Sequence, residues 1–468
     1  MRRGCALAAT IVALAFPARA ETLAGALLRA YDSNPSLSAA RAELRAIDES
    51  VPQARAGMRP KIGADAYLGA QRNRSVSRQA DVELSDPLHT QTQSKSIETG
   101  SSMPRSAGVR VEQPLFDGFR AQNETRAAES GVFAGRERLR LTEQRVLFDA
   151  ASAYMSVLRD TAALKLQESN VSVLAEQLRQ VRERYLAGQI TLTDIAQAEA
   201  RLAGGKAMQS TARAALDASL GAYRQVVGVE PKRLTPAPAL DRLLPKSREA
   251  AEKAALAEHP VVLAALHDVD SAEIGVKVIE SDYMPRLSIV GDIFTQTDTM
   301  GVGNRNIGAM IGGKLNVPIY EGGVTSSRLR QAKETTGQRR FDADTARAEV
   351  LSLVRANWGA WQAAKERIAA AQKQADAAER ALLGVREEAK AGQRTTLDIL
   401  NAQQELLAAR IGLLAAQRDR VVAAYAVLAA TGRLSVETLG LRAARYDPGV
   451  HFDQVKDDWG QPLTPDGR

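Results

Sequence analysis

Two patterns built on proline and glycine recur along the chain, so the sequence is a duplication. Pro35 and Pro60 recur 225 residues later, and residues 113–118 recur 204 residues later. Because proline and glycine each fix a backbone conformation, repetition at a constant interval predicts that the two copies fold alike. The interval falls by 21 residues, so the first copy contains an insertion after Pro60.

Each copy contains two short segments in which apolar and polar side chains alternate, which predicts strands with one apolar face. The predicted strands are about residues 60–72, 105–114, 285–296 and 305–318. Their length suits membrane-crossing strands, although half-buried strands of a soluble sandwich show the same pattern. Four strands cannot close a barrel and lipid requires closure, so membrane insertion needs several copies. We expect residues 72–102 and 295–305 to be exposed loops.

Long helices are predicted where proline is absent, in residues 115–230 and 319–447. Helix-forming residues dominate both stretches, and apolar residues follow a heptad spacing, which indicates coiled-coil packing. Gly188 and Gly392 would end the long helix of each copy. The predicted helical hairpins are residues 118–228 and 322–432. A hollow tube of paired helices and a solid, rod-like spacer both fit this pattern.

The two ends of the chain differ from the repeats. Residues 1–20 combine a positive start, a short apolar run and small residues at positions 18 and 20, which predicts a cleaved signal peptide. A membrane anchor is the alternative, but a spanning helix needs roughly 20 apolar residues. Repeat one is then residues 21–240 and repeat two residues 241–441, each opening with a helix pair. We expect residues 442–468 to form a polar, loosely held tail.

Residue types that carry chemistry are scarce. The sequence has one cysteine, Cys5, and four histidines, none of them three or four residues apart. Disulfides and histidine or cysteine metal sites are therefore not expected. No nucleophile or phosphate-loop motif occurs, so we expect no enzyme activity, no catalytic residues and no cofactor. The net charge of +7 comes from interspersed basic and acidic residues, which does not indicate a nucleic-acid partner.

Several of these motifs together resemble the TolC-like outer-membrane efflux proteins. The resemblance covers about residues 21–441 and includes the duplication. It also includes the Asn34-Pro35 and His259-Pro260 openings, the strand-to-helix joints 113–118 and 317–322, and the helix turns 187–194 and 391–398. It implies an α+β membrane protein: a homotrimer with a 12-stranded outer-membrane β-barrel, four strands per subunit, continued by a long α-helical coiled-coil periplasmic tunnel.

The function implied by the resemblance is passive export of proteins or small toxic molecules from a Gram-negative cell. The duct would lie in outer-membrane lipid, with a large periplasmic part. It would dock to a periplasmic adaptor protein and to an inner-membrane ABC or proton-driven transporter. Type I protein secretion is the favoured role, and multidrug efflux is the alternative. A periplasmic adaptor or structural coiled coil is more distant, because two equivalent hairpins each follow their own strand pair.

The resemblance also implies a gate at the helix turns. The predicted lock residues are Arg394, Asp194 and Thr193. Asp398 resembles one acidic ring of the pore, whereas the next ring position is Asn401 and carries no charge. A tyrosine that helps the family's closed state would fall at Ala389, so the lock should be weaker here. The uncharged Asn401 should lower the cation affinity of the pore. Asp194 and Asp398 each follow a glycine turn, and the alternative is that they complement the helix macrodipole.

Overall fold

The computed structural model describes residues 21–82, 91–238, 240–299, 303–460 and 463–465. The predicted signal peptide, residues 1–20, lies outside them. The helices are α1 Leu23–Ser33, α2 Pro35–Asp48, α3 Ser50–Arg55, α4 Arg120–Leu186, α5 Leu192–Val227, α6 Arg248–Glu258, α7 Pro260–Glu280, α8 Val324–Lys390, α9 Thr396–Ala430 and α10 Pro448–Val455. The strands are β1 Lys61–Leu68, β2 Gln71–Val82, β3 Gln91–Ser102, β4 Arg105–Phe116, β5 Arg286–Thr297 and β6 Arg305–Asn316. The predicted α+β class is confirmed.

The chain divides into two compact units. The first comprises Met1–Leu44, Ala134–Ala265 and Ala343–Asp447, and the second comprises Arg45–Phe133, Leu266–Asp342 and Pro448–Arg468. Within the described residues, no helix is both long enough and apolar enough to cross a membrane.

The second unit contains a four-stranded antiparallel sheet in the order β1-β4-β5-β6. These strands overlap the four segments with alternating apolar residues. Val109 pairs with Ala64 on one side and with Ile293 on the other, so apolar residues from neighbouring strands lie side by side on one face. Strands β1 and β6 form the two edges of the sheet.

The predicted loop at residues 72–102 is wrong, because most of this segment is the β2–β3 hairpin. Lys61 of β1 pairs with Glu112 of β4, and Gln71 of β2 pairs with Ser102 of β3. The β2–β3 pair therefore continues the β1–β4 pair in the same register. Polar side chains do not prevent strand formation, and the threonine, valine and isoleucine residues of this segment favour a pleated strand. The tip, residues 83–90, lies outside the described residues.

The first unit has a core where α1, α4, α5 and α9 contribute fully buried side chains. Its large, fully buried side chains include Tyr154, Tyr223, Leu27, Leu147 and Leu428. The Tyr223 hydroxyl donates to Glu21 Oε1 at 2.7 Å, and Arg29 lies 2.9 Å from the same oxygen. The buried carboxylate is thus paired, as burial of a charge requires.

The residues before the repeated prolines, Asn34 and His259, each end one helix and cap the next. Asn34 ends α1 and accepts a hydrogen bond from the Ser36 amide at 2.9 Å, which caps α2. In copy two, His259 ends α6, and its Nδ1 accepts from the Val261 amide at 3.3 Å. A residue before proline avoids the helical conformation, so each position breaks the chain and caps the next helix.

The part of the tail at residues 448–456 is packed and not loosely held as predicted. Residues 448–455 form α10, and Val455 is buried. His451 Nδ1 lies 2.9 Å from Asp48 Oδ2, and Arg55 Nη1 donates to the Lys456 carbonyl at 3.2 Å. Asp48 is fully buried, and a buried carboxylate needs such a partner, which explains why a polar sequence packs here.

Candidate functional site at the helix turns

The two turns between the long and short helices are built alike. Gly188 and Gly392 have φ angles of 72° and 78°, a left-handed conformation that glycine adopts without Cβ strain. The following amides, of Gln189 and Gln393, each donate to a carbonyl five residues earlier at 3.0 Å. These hydrogen bonds are typical of a helix that ends at a left-handed glycine, so local sequence determines both turns.

Asp194 and Asp398 cap the helices that follow the turns. Asp194 Oδ2 accepts from the Thr191 amide at 2.9 Å and from the Thr191 hydroxyl at 2.8 Å. Asp398 makes the same two contacts with Thr395, at the same distances. The backbone hydrogen bond foremost, and the hydroxyl next, lower the pKa of each carboxyl, so both stay charged. Both residues therefore cap a helix N-terminus, the position at which the alternative interpretation has them complement the helix macrodipole. Both also keep the negative charge that the predicted role of Asp398 in a pore ring requires.

Arg394 lies on the second turn and contacts a residue of its own hairpin. Its Nε donates to Glu388 Oε2 at 2.8 Å, and this hydrogen bond raises the pKa of the guanidinium. Within the described residues of one subunit, Arg394 is joined to Glu388 and not to Thr193 or Asp194. Thr193 is exposed. A lock between Arg394 and these two residues remains a prediction for the assembled protein.

Asn401 is held by an arginine that the sequence analysis missed. Arg201 of α5 donates from Nη2 to Asn401 Oδ1 at 2.8 Å and from Nη1 to Gln404 Oε1. The duplication does not mark Arg201, because the equivalent position in copy two is Glu405. One sequence feature could have indicated Arg201, namely its position seven residues after Asp194. Seven residues are about two helical turns, so the two residues lie on the same face of α5.

Amide side chains join the same helices beside Arg201. Gln403 is 8% exposed. Its Oε1 accepts from Gln177 Nε2 at 2.8 Å, and its Nε2 donates to Asn170 Oδ1 at 3.4 Å. A cavity of about 220 Å³ lies next to this network. Its lining comes from α4, α5 and α9 and includes Gln167, Leu174, Met208, Leu400 and Leu407.

Each hairpin closes on its own apolar seam. The seam of copy one contains Leu178, Val181 and Ala198. The seam of copy two contains Ala375, Ala378, Leu382, Leu406 and Ala409. These residues are buried and follow the heptad spacing predicted from the sequence, and the alanines among them let the helices approach closely. Tyr185 lies seven residues after Leu178, at the next equivalent heptad position, and is exposed instead.

The sequence matches the family described as "Outer membrane efflux protein" over residues 27–229 and 252–433. With the antiparallel sheet and the paired long helices, this match shows that the chain belongs to the outer membrane efflux protein family. Its location is the outer membrane, with a large periplasmic part, and the resemblance to TolC-like proteins is confirmed.

Individual relatives agree with this class. The chain is 41% identical to "Outer membrane efflux protein BepC" of Brucella suis biovar 1 (strain 1330), over 96% of this chain and 94% of that protein. It is 27% identical to "Alkaline protease secretion protein AprF" of Pseudomonas aeruginosa, over 59% of this chain and 58% of that protein. The Campylobacter jejuni CmeC outer membrane channel shares the fold, with a TM-score of 0.72, 17% identity and coverage of 93% of this chain and 89% of that chain.

The chemistry available at the turns is electrostatic and hydrogen-bonding. The matched relatives and the matched structure are outer-membrane efflux, secretion and channel proteins, not enzymes. Across the described residues, no group of three or more histidine, cysteine or carboxylate side chains could hold a metal ion. Carboxylates, guanidinium groups and amides on helix hairpins can hold the hairpins together and select ions by charge.

Proposed function

We propose that the chain forms, as a homotrimer, an outer-membrane exit duct that passively conducts cargo out of a Gram-negative cell. The edges of the four-stranded sheet carry this proposal. Within the described residues β1 pairs with β4 alone and β6 with β5 alone. Apolar side chains on the edge strands are exposed, with Ile62 at 73% and Ile311 at 82%. Such edges cannot stay unpaired in lipid, because each unpaired backbone group there costs several kcal/mol.

Strand direction supports closure by other copies of the chain. The four strands alternate in direction across the sheet, so β6 of one copy and β1 of the next would run antiparallel. Four strands per subunit in three subunits give a closed 12-stranded barrel, within the range of known membrane barrels. Closure pairs both edges at once, which no arrangement of a single copy achieves.

The long helices supply the periplasmic tunnel. Helices α4 and α8 have 67 residues each, which is about 100 Å of helix at about 1.5 Å per residue. A passive duct needs an external energy source. We therefore propose that the tunnel docks to a periplasmic adaptor protein and to an inner-membrane ABC or proton-driven transporter.

The proposed cargo is protein, exported by type I secretion. The resemblance of residues 22–60 to secretion-type members supports it, as does the similarity to AprF, which is named for secretion of alkaline protease. Multidrug efflux is the second candidate. It is favoured by the relative at 41% identity, which is named an efflux protein.

The helix turns are the proposed gate. In a trimer, Asp398 would place three carboxylates around one axis, where they repel one another and attract cations. Asn401 would add a neutral ring, so the cation affinity of the pore should be modest. Arg394, Thr193 and Asp194 are the proposed lock between neighbouring hairpins of the assembly.

Planar-bilayer conductance of the detergent-extracted protein tests the duct, with the particle mass measured in the same detergent. We expect a trimer with small, steady, cation-selective conductance. A monomer without conductance would contradict the proposal.

A deletion strain distinguishes the two cargo classes. Loss of a secreted protein from the culture medium, with unchanged drug susceptibility, would support secretion. Increased drug susceptibility with intact secretion would support multidrug efflux. Complementation with the full-length chain is the control.

A further inference from the structure

The two hairpins are joined near the turns by polar side chains. The seams described above lie within each hairpin, between α4 and α5 and between α8 and α9. Near the turns, three residues of copy one form side-chain hydrogen bonds with α9 of copy two. They are Arg201, Gln177 and Asn170. Two helical hairpins that are each stable through their own seam can separate without unfolding, provided that these crossing contacts break.

We propose that Arg201, with Gln403 beside it, forms a latch that holds α9 of copy two against the hairpin of copy one. Arg201 is a positioning residue, since it fixes Asn401 at the ring position and Gln404 one turn further along. This latch rests on the proposed duct function and lies deeper along the helices than the lock predicted at Arg394. Its hydrogen-bond partners are neutral amides, so no ion pair among the described residues compensates the guanidinium charge beside Asn401.

The geometry of Arg201 suits this role. The guanidinium carries its donors in a rigid fork, and here two of its nitrogens reach two amide oxygens that are three residues apart on α9. Residues three apart on a helix are neighbours on one face, so a single side chain can bind both. Hydrogen bonds from a charged donor are about twice as strong as neutral ones, which makes Arg201 the main contributor.

The neighbouring amide network makes the latch releasable. Gln177 Oε1 and Gln167 Oε1 are buried without a hydrogen-bond partner among the described atoms. A buried polar atom without a hydrogen-bond partner raises the free energy of the joined arrangement, and hydration of that atom would remove the penalty. The cavity of about 220 Å³ beside Gln403 also leaves some side-chain surface without close packing. Separation of α9 from α4 and α5 would therefore recover hydration that the joined arrangement lacks.

The test measures the open fraction of single channels formed by the full-length protein. Arg201→Gln should raise the open fraction about tenfold, because loss of charge-assisted hydrogen bonds shifts the equilibrium toward the separated arrangement. Arg213→Gln is the matched control. Arg213 is an exposed arginine of the same helix whose guanidinium makes no hydrogen bond or ion pair within the described residues. We expect this control to behave like the parent protein.

A second variant separates the latch from a simple charge effect. Asn401→Ala removes an acceptor and keeps the arginine charge, so it should also raise the open fraction. The double variant Arg201→Gln/Asn401→Ala should open little more than either single variant, because both changes break one contact. Additive effects would overturn the latch.

A reversible cross-link gives an independent readout. Cysteines replace Arg201 and Asn401 in a chain that carries Cys5→Ser, and a short reducible bis-thiol reagent joins them. We expect the open fraction of the cross-linked channels to stay low until the linker is reduced. An open fraction that is the same before and after reduction of the linker would contradict the proposal.

Failure of the latch and failure of the duct give different results. A parent trimer that conducts, with equal open fractions for Arg201→Gln and Arg213→Gln, overturns the latch alone. A parent protein that is monomeric and does not conduct overturns both.

Discussion

Alanine at Gly432 should destabilise the protein far more than alanine at the equivalent Gly228. Both glycines end the short helix of their hairpin and have positive φ angles, of 75° and 84°. A left-handed conformation costs an alanine about 1–2 kcal/mol at either site. The surroundings differ, since a Cβ on Gly432 would lie 2.7 Å from the Glu258 carbonyl oxygen, whereas the nearest atom to a Cβ on Gly228 is Ser33 Oγ at 3.4 Å.

The difference between the two variants isolates the clash. The atoms near Gly432 belong to backbone at the end of α6 and cannot rotate away, so α6 or α9 must shift. Overpacking of this kind costs about 1–3 kcal/mol. We expect Gly432→Ala to lose about 2–5 kcal/mol in total and Gly228→Ala about 1–2 kcal/mol.

Thermal unfolding of the detergent-extracted protein, followed by tryptophan fluorescence, measures the difference. Trp358 and Trp361 pack with the core near these helices and report its loss. At about 1 °C per kcal/mol for a chain of this length, the Gly432 variant should melt about 1–3 °C below the Gly228 variant. Because large proteins often unfold irreversibly, scan rates must be matched. Equal melting temperatures for the two variants would refute the reasoning.

Three further changes test other parts of the structure. Arg394→Ala combined with Asp194→Ala should raise single-channel conductance, and unchanged conductance in the single and double variants would remove both residues from the lock. Burial lowers the pKa of His259 to about 4, so the folded protein keeps it neutral while the unfolded chain binds a proton below about pH 6.5. Stability should therefore fall by up to about 3 kcal/mol as the pH drops from 6.5 to 4, and His259→Asn, which installs the residue type of copy one, should flatten that fall in melts across this range. Tyr154→Phe removes a buried hydroxyl that accepts a hydrogen bond from the Thr235 amide at 3.0 Å. This change should lower the free energy of unfolding by about 1–3 kcal/mol in the same melting assay. A loss well below about 1 kcal/mol would contradict the importance of this contact.

Features fixed by short-range chemistry were predictable from the sequence. Gly188 and Gly392 marked the turns because a left-handed helix end requires glycine in its own position, whatever the rest of the protein does. Alternation of side chains marked β1, β4, β5 and β6 because each has one apolar face. The duplication then allowed each copy to support the assignment of the other.

Features that depend on distant partners were missed. The β2–β3 hairpin has no continuous apolar face, and its register is inherited from β1 and β4. The packing of α10 depends on Asp48, a residue about 400 positions away. Arg201 has no counterpart in the repeat, and its contact with Asn401 exists only once two hairpins lie together. The lock predicted at Arg394 would need contacts between subunits, which the structure of one subunit does not test.

The equal length of α4 and α8 limits how sequences of this kind can change. One inserted residue rotates all later side chains by about 100°, which would turn the seam residues of that hairpin away from each other. An insertion of seven residues restores the face but moves the turn by about 10 Å, and Arg201 would then no longer lie opposite Asn401. Length changes should therefore survive as heptads gained or lost in both helices together. The β2–β3 hairpin has no such constraint, and it can lengthen by pairs of residues in one copy alone.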